Sequence, residues 1–535
     1  MPEYLRALIV VLVVSTIVFA FAHRPACAIS GARDFTRRRN LWYALTLTAF
    51  LAHSFWIYAL IAVPLLIYAY SRETNIAALF FFILFALPPD TISIPGMGLI
   101  NYFFDLSHVR LLELFILLPA FVILLLRGDT TSFGRMGPDK VLAAYMLLTV
   151  ALYLRETTLT DTARQAFYMF IDVFLPYFVI SRSLKDLQGF RVALLSMVVA
   201  IMVVALVAVF EGTRHWVLYQ PLVGTLGLHG TYGHGYLLRD GILRAIATAE
   251  QPIALGYLMV TGLGFYLFLK RSIKHKLIRV LGLVLLVAGL IASLSRGPWV
   301  GAVAMAIIFI ATGRHAVPRV LGFIMTGIVA ISLIAILPGG EKVFNMLPII
   351  GKTEQGTIEG RQDLLEVSIR VIERHPWFGS VDYLKTSEME SMRTGLGIID
   401  IVNTYVRIAL ETGLVGLGLF VGFFALTLLG IYRAMRSIRE RNSEERLLGR
   451  ALLATLLSIL LVIFTVSSIS FIPVVYWSVA GLGVAYARMI QNQTRAKLKA
   501  SLLKVEKPKY PPIVQTPRQD RKREFGGNNV RSETT

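Results

Sequence analysis

The chain has 535 residues, and 56% of them are hydrophobic, a fraction too high for a soluble globular protein. Its single cysteine, Cys27, excludes an intramolecular disulfide and a thiolate metal cluster. The formal net charge of +20 would suit nucleic-acid binding, but much of the excess lies in short loops and the C-terminal tail, where positive charge orients membrane proteins. We therefore expect a lipid bilayer, and no nucleic acid, as a partner.

Residues 1–74 are predicted to form an N-terminal anchor and a membrane hairpin. A basic cluster follows the apolar run 5–22, namely Arg33, Arg37, Arg38 and Arg39. This order is the reverse of the charge order in a signal peptide, so the run is predicted to be a retained span. The run 41–70 is too long for one ordinary helix, and His53-Ser54 divides it, which favours a tight hairpin.

Twelve further apolar runs follow, each predicted to be a transmembrane helix because a backbone in lipid must satisfy its hydrogen bonds internally. They are 75–87, 108–126, 138–154, 166–180, 192–210, 247–269, 277–293, 298–312, 318–337, 404–431, 447–466 and 472–487. The predicted fold class is therefore all-α. We expect a polytopic integral membrane protein of about 12–14 transmembrane helices, with a large periplasmic loop before the last three.

The order of these runs predicts the remaining segments and their orientation. Residues 75–337 form the first part of the membrane core, 338–401 a polar loop, and 402–487 the last three spans. The linker 432–446 is rich in arginine, which marks the cytoplasmic side, so the polar loop is predicted to be periplasmic. Residues 488–535 are basic and poor in apolar residues, which predicts a disordered cytoplasmic tail.

Four places put polar residues against the membrane on the side that is poor in positive charge. Arg244 and Glu250 lie at the entrance of one span, and Arg296 lies in a turn between two others. Arginines at helix ends commonly extend their charged groups towards the interface, which would explain Arg244 without any functional role. An arginine on the positive-poor side is more informative, and we favour a functional role for Arg296.

The third and fourth places lie in and after the polar loop. Leu364, Leu365, Ile369, Val371 and Ile372 recur at helical spacing, so an amphipathic helix is predicted from Arg361 to His375, ended by Pro376. The fourth place reads Asp400-Ile401-Val402-Asn403, followed by Glu411 and by Gly413-x-x-Gly416. Packing of helices explains the two glycines, and a packing helix with a solvated arginine would explain the third place if taken alone.

Taken together, these stretches resemble the O-antigen ligase and polysaccharide polymerase family of bacterial inner membranes. The matching pieces are Arg244 with Pro252, Ser293-x-Ser295-Arg296-Gly297, Gly360-Arg361-x-x-Leu364-Leu365, His375-Pro376-Trp377-Phe378-Gly379, and Asn403 separated by nine residues from Gly413-x-x-Gly416. The likeness covers roughly residues 75–487. It is carried by the order and spacing of the motifs and their placement on one membrane face.

The resemblance implies a membrane glycosyltransferase that uses undecaprenyl-diphosphate-linked sugars. Ligases of the family move a finished glycan onto the lipid A core, whereas polymerases join lipid-linked repeat units. The ligase pattern has histidine before the asparagine, but this chain has Val402, which cannot accept a proton. The favoured hypothesis is therefore a polymerase in the assembly of a surface or exported polysaccharide. The alternatives are an O-antigen or other glycan ligase and a non-catalytic transporter of lipid-linked glycans.

The expected roles follow from residue chemistry. Arginine is always charged and binds phosphate oxygens through paired donors, so Arg244, Arg296 and Arg361 are the candidates for stabilising the departing diphosphate. Asp400 is the candidate general base, with Glu250, His229 and His234 left open. The substrate-binding candidates are Asn403, His375, Glu250 and Glu411.

No Asp-x-Asp pair occurs on the predicted periplasmic face, so we expect neither a metal nor another cofactor. The expected partners are the undecaprenyl-diphosphate-linked glycan and the bilayer, and other polysaccharide-assembly proteins are left open. The arginines lie at one face, and no convincing repeat relates the two halves of the chain. Both features favour an enzyme over a transporter.

Overall fold

A computed structural model of the chain describes residues 1–98, 100–128, 130–228, 236–239, 241–336, 355–393, 399 and 401–505. The chain divides into one unit, Met1–Ile490, and a second unit, Gln491–Thr535. Helices dominate the described residues, which confirms the predicted all-α polytopic membrane class. Strands are confined in these ranges to two short antiparallel pairs.

The described residues of the first half form nine helices and two strand pairs, numbered here in chain order. They are α1 Glu3–Ser30, α2 Ala32–Leu51, α3 Phe55–Ser71, α4 Ile76–Ile83, β1 Thr91–Pro95, β2 Tyr102–Ser107, α5 His108–Leu126, α6 Gly137–Glu156, α7 Leu159–Ser183, α8 Leu187–Arg214, α9 Gln220–Leu226, β3 Leu238–Arg239 and β4 Ile242–Leu243. Helices α5 and α7 each contain a π-helical segment, Glu113–Leu117 and Met169–Phe174.

In the second half, the regular secondary-structure elements of the described ranges are all helices. Its helices are α10 Pro252–Leu269, α11 Lys276–Ala292, α12 Arg296–Ala311, α13 Ala316–Ile336, α14 Gln355–Arg374, α15 Ser387–Glu390, α16 Thr404–Ser437, α17 Glu444–Val462 and α18 Ile472–Val505. One-turn 3-10 helices occur at Tyr383–Lys385 and Ile463–Thr465.

Nine helices of the described ranges are long and apolar enough to cross a membrane by length and composition. They are α1, α5, α6, α7, α8, α10, α13, α16 and α17 with its 3-10 extension to Thr465. Two shorter apolar helices, α3 and α12, lie among them. In the N-terminal region, α2 ends at Leu51 and α3 begins at Phe55, so the long apolar run is divided at His53-Ser54.

Side-chain caps set several helix boundaries. The Asn75 side chain accepts from Ala78 N at 3.0 Å and starts α4, and the Asp186 side chain accepts from Gly189 N at 2.7 Å and starts α8. Asn403 caps α16 by accepting from Tyr405 N at 2.9 Å. A capping side chain satisfies one of the amide groups that the first turn leaves unbonded.

Helices α8 and α10 form the centre of the bundle and are buried on most sides. Small residues allow close packing around them, because a β-carbon at Gly256 would lie 2.6 Å from Pro298 of α12. A β-carbon at Gly264 would lie 2.0 Å from Thr455 Oγ1 of α17. This packing brings the first turns of α10 and α12 together at one end of the bundle, called the site end below.

The sequence prediction located most of the helices, but the span predicted at 75–87 is the eight-residue helix α4, which is too short to cross a bilayer, and the small strands were missed. Strands β1 and β2 pair antiparallel, with Thr91 opposite Ser107, in the stretch between the predicted spans 75–87 and 108–126. The span predicted at 166–180 begins earlier, at Leu159, because its first turns are amphipathic and carry Asp161 and Arg164. The span predicted at 404–431 extends to Ser437.

Candidate active site

The site is built from the first turns of helices that start at the site end. Arg244 follows strand β4, and its Nη2 donates to Ser295 Oγ at 3.0 Å. Ser295 is buried and immediately precedes Arg296, the first residue of α12. Two of the three arginines selected from the sequence are therefore connected through one serine, although 52 positions separate them along the chain.

The segment 466–471, between α17 and α18, ties these helix starts to each other. Val466 O accepts from Thr404 N at 3.0 Å and from Thr404 Oγ1 at 2.7 Å, which fixes the start of α16. Ser470 Oγ donates to Ala249 O at 2.9 Å, which fixes the approach to α10. Sequence analysis did not select this segment. Its polar residues between two apolar spans at the predicted periplasmic side are the signal that could have found it.

Thr465 connects the α12 start to the third arginine. A β-carbon at Gly297, directly after Arg296, would lie 2.1 Å from Thr465 Oγ1, so only glycine allows this contact. Thr465 also lines a cavity of about 320 Å³ whose wall includes Arg361 of α14 and Asn403. Thr465 is thus the junction between the start of α12, beside Arg296, and the cavity that Arg361 lines.

The cavity has one polar wall and a largely apolar remainder. Its polar lining residues are Arg361, Gln362, Ser368, Asn403 and Thr465. The apolar lining consists of Leu364, Leu365, Ile401, Val402, Val406 and Phe464. Such a lining suits a ligand that carries a charged or hydroxyl-rich part next to a hydrocarbon part.

Helix dipoles add to the positive charge of the arginines. Helices α10, α12 and α16 all begin at the site end, with first residues Pro252, Arg296 and Thr404. The first turn of a helix carries a partial positive charge and exposes backbone amide groups, so these three starts favour an anion.

Two glycines explain the motifs that flank the cavity. The α16 helix is broken at Gly413, which has φ 68° and ψ −172°. Beside the break, Leu414 N donates to Pro376 O at 2.8 Å and Val415 N donates to Trp377 O at 3.1 Å. Gly379 also packs closely against α16, because a β-carbon at this position would lie 2.4 Å from Leu410 O. The His375–Gly379 turn is therefore seated on the break in α16.

A family model described as O-antigen ligase matches residues 281–421, which include Arg296, Arg361, Asn403 and Gly413. The chain carries an O-antigen ligase family domain. This match confirms the resemblance inferred from the motifs and places the protein in glycan processing of the ligase or polymerase type. A comparison with curated proteins gave no match.

Outside the matched region, a buried carboxyl pair lies at the site end. Asp90, between α4 and β1, is 2% exposed, and it lies within hydrogen-bonding reach of Glu250. Apart from the backbone amide of Asp90 itself, no other donor of the described ranges is found for its carboxylate, so a protonated Glu250 is the side chain that can satisfy it. Sequence analysis had selected Glu250 and missed Asp90.

Burial dominates the proton affinity of this pair. Desolvation raises the pKa of Asp90 to about 7, and the hydrogen bond from Glu250 partly offsets this rise. Desolvation and the facing Asp90 carboxylate raise the pKa of Glu250 well above its usual value. Glu250 also has φ 60°, an uncommon backbone conformation for a residue other than glycine, which is found mainly at functional sites.

Replacing Asp90 with asparagine is expected to change how stability depends on pH. A carboxyl whose pKa is raised by folding binds more protons in the folded than in the unfolded state between about pH 4 and 7, so its stability contribution falls as the pH rises through that window. The wild type should therefore lose more stability than Asp90→Asn between pH 5 and pH 8. The difference should be on the order of a few kcal/mol. Thermal unfolding of the purified protein in detergent measures it.

The exposed Glu440 on the opposite end supplies the control for that experiment. Glu440→Gln should leave the pH dependence as in the wild type. If Asp90→Asn and the wild type change equally between pH 5 and pH 8, the carboxyl pair does not hold the proton assigned to it.

The remaining candidates occupy other places. His375 is exposed just after α14, and its backbone oxygen accepts from Gly379 N at 2.9 Å. Glu411 does not line the 320 Å³ cavity and accepts from Tyr153 Oη of α6 at 2.9 Å. Asp400, proposed as the base, lies outside the described residues, as do His229 and His234.

Arg407 is a further residue that the sequence analysis did not select. It follows Asn403 by one turn of α16 and precedes Glu411 by another, so the three lie along one side of the helix. Its charge interacts with Glu411 and with the buried Tyr383 of the loop after α14. The spacing of four residues between Asn403, Arg407 and Glu411 is the signal that could have identified it.

Proposed function

We propose that this protein is an inner-membrane glycosyltransferase that polymerises undecaprenyl-diphosphate-linked repeat units of a surface or exported polysaccharide. The observation that carries the proposal is the junction around Thr465, where Arg361 and Asn403 share a cavity beside the Arg244–Ser295–Arg296 group. The proposal places this site on the periplasmic face, because the basic linker 432–446 favours the cytoplasm for the opposite end.

The donor chemistry explains why three arginines would gather here. The acceptor oxygen forms a bond to the anomeric carbon of the donor sugar while the bond from that carbon to the diphosphate oxygen breaks. The electron pair of the broken bond remains on the diphosphate, whose negative charge increases. Fixed guanidinium groups and helix starts stabilise that charge without reorganising during the reaction. They would supply the charge neutralisation that a metal ion provides elsewhere, so the proposed reaction is metal-independent.

The acceptor hydroxyl must lose a proton as its oxygen attacks. We propose Asp400 as the group that takes it, because Asp400 lies three positions before the cavity residue Asn403. Glu250 is the alternative base, and it would first have to give up the proton that it shares with Asp90. Asn403 lines the cavity, and we propose that its amide group contacts the glycan.

Polymerase and ligase functions differ in the acceptor. Val402 lines the cavity at the position where ligases of the family carry histidine, which supports the polymerase hypothesis. The description of the matching family model as O-antigen ligase favours glycan ligation as the second candidate. Other polysaccharide-assembly proteins would deliver the donor in either case.

Deletion of the gene, followed by analysis of lipid-linked glycans, distinguishes these functions. A polymerase deletion should accumulate single repeat units on the lipid carrier at the periplasmic face, and a chromosomal copy of the wild-type gene should restore long chains. Accumulated long lipid-linked chains would instead indicate a ligase. Single repeat units held only in the cytoplasmic leaflet would indicate the transporter hypothesis.

A further inference from the structure

A second polar cavity lies at the end of the bundle opposite the site. It has a volume of about 540 Å³ and is formed by α1, α2 and the first turn of α11. Its polar lining consists of Thr16, His23, Arg24, Arg39 and Tyr43. Nothing in the proposed transfer reaction uses these residues.

Among the residues that the structure describes, no carboxylate forms an ion pair with Arg24 or Arg39 of this cavity. Within the described ranges, none of its lining residues is acidic. Arg39 donates to the neutral side-chain oxygen of Asn40 at 3.1 Å. The two preceding arginines differ, because Arg38 pairs with Glu73 at 2.7 Å and Arg37 with Glu73 at 3.3 Å. In the run 37–39, two arginines are thus paired with a carboxylate, and the third, Arg39, lines the cavity together with Arg24.

The cavity also adjoins surface that faces lipid. Its apolar lining includes Phe21 and Ile278. Towards the middle of α1, Val13 and Ile17 are more than half exposed, and Val284 of α11 is equally exposed. In a membrane protein such apolar side chains contact acyl chains. A surface in contact with lipid therefore lies next to Arg24 and Arg39 of the cavity.

We infer that this cavity binds the phosphodiester headgroup of an anionic phospholipid, with an acyl chain along α1 and α11. Two guanidinium groups and the imidazole match the charge and the hydrogen-bond acceptors of a phosphate, whereas the hydroxyls of Thr16 and Tyr43 are bonded to each other at 2.7 Å. Basic pockets between transmembrane helices on the cytoplasmic side commonly bind anionic headgroups. A lipid seated there would link the N-terminal helices to the core, independently of the proposed transferase function.

Thermal unfolding of the full-length protein in detergent tests the inference. Added phosphatidylglycerol should raise the unfolding temperature of the wild type by about 3 °C over phosphatidylcholine, because a ligand that binds only the folded state stabilises it. The double variant Arg24→Gln/Arg39→Gln should lose this increment. Its matched control is Arg33→Gln/Arg72→Gln, which removes two exposed arginines that do not line the cavity and should keep the increment.

Two further arms use the wild type alone and do not depend on the folding of a variant. Inorganic phosphate at the same concentration should give little stabilisation; a shift equal to that of phosphatidylglycerol would overturn the lipid assignment. Native mass spectrometry should show phosphatidylglycerol retained in preference to phosphatidylcholine, and equal retention would overturn it. If both double variants lost the thermal increment equally, the stabilisation would depend only on the net charge of the protein, and the proposed site would be refuted.

Discussion

Replacing Gly413 with alanine is expected to abolish glycan transfer. Gly413 has φ 68° and ψ −172°, a backbone region that is essentially restricted to glycine. A β-carbon there would lie 2.3 Å from the backbone carbon and oxygen of Trp377. The substitution must therefore separate the His375–Gly379 turn from α16, at a cost of about 3 kcal/mol or more. Because this turn follows α14, which carries Arg361, we expect the cavity to lose its arginine wall.

Limited proteolysis and a transfer assay measure this outcome together. The loop after α14 should become sensitive to protease in Gly413→Ala, and transfer per inserted protein should fall below detection. Gly418 supplies the matched control, because it lies in the same helix and its β-carbon would meet no atom within 4 Å. Gly418→Ala should behave as the wild type. Normal transfer by Gly413→Ala would show that the turn does not position the site.

The parts of the fold that could be predicted are those determined by local sequence. The helix at His108–Leu126 agrees at both ends with its apolar run, because the polar residues outside a span define where it leaves the apolar layer. Helix α14 was predicted from Arg361 to His375 and is observed at Gln355–Arg374. Its apolar stripe set the register, and Pro376 set its end.

The site itself depended on contacts that local sequence does not encode. Arg361, Arg296 and Arg244 could be selected because a cation is conspicuous on the positive-poor side of a membrane protein. Asp90 could not, because its partner Glu250 lies 160 positions later and only the packing of α10 brings the two carboxyls together. Glu411 was selected as a substrate ligand, and the structure shows that its carboxylate accepts a hydrogen bond from Tyr153.

Glycine motifs show the same division between local and tertiary information. The sequence attributed Gly413-x-x-Gly416 to helix packing, and close approach is indeed what Gly413 permits. Its partner is the turn containing Gly379 and not a second transmembrane helix. A motif of small residues indicates that another backbone segment packs closely against it, but which segment this is depends on the whole fold.

Exchanging Arg244, Arg296 or Arg361 singly for lysine is expected to reduce polymer formation about a hundredfold, because losing a donor to charge that develops in the transition state typically costs on the order of 3 kcal/mol. Lysine keeps the positive charge and the apolar stem, so an arginine that serves only orientation or packing should tolerate the exchange. An arginine that holds phosphate oxygens through paired donors should not, since lysine lacks the planar fork.

The structure supplies one control for Arg361 and another for Arg244. Arg370 is exposed on α14, two and a half turns beyond Arg361, and does not line the cavity, so Arg370→Lys should leave transfer unchanged. For Arg244, the hydrogen bond to Ser295 would also suit a purely structural role, which a second variant tests. Ser295→Ala removes that bond and keeps the guanidinium, so it should preserve most of the activity if Arg244 acts on the diphosphate.

The measurement is polymer formed per folded protein from supplied lipid-linked repeat units, with insertion checked by the unfolding temperature of each variant. Each lysine variant should insert normally, retain unreacted repeat units and make little polymer. Near-normal activity in all three would refute the arginine clamp. Loss in one variant alone would assign the diphosphate to that residue. A Ser295→Ala protein as inactive as Arg244→Lys would give Arg244 a structural role at the start of α12, and would leave the leaving-group charge to Arg296 and Arg361.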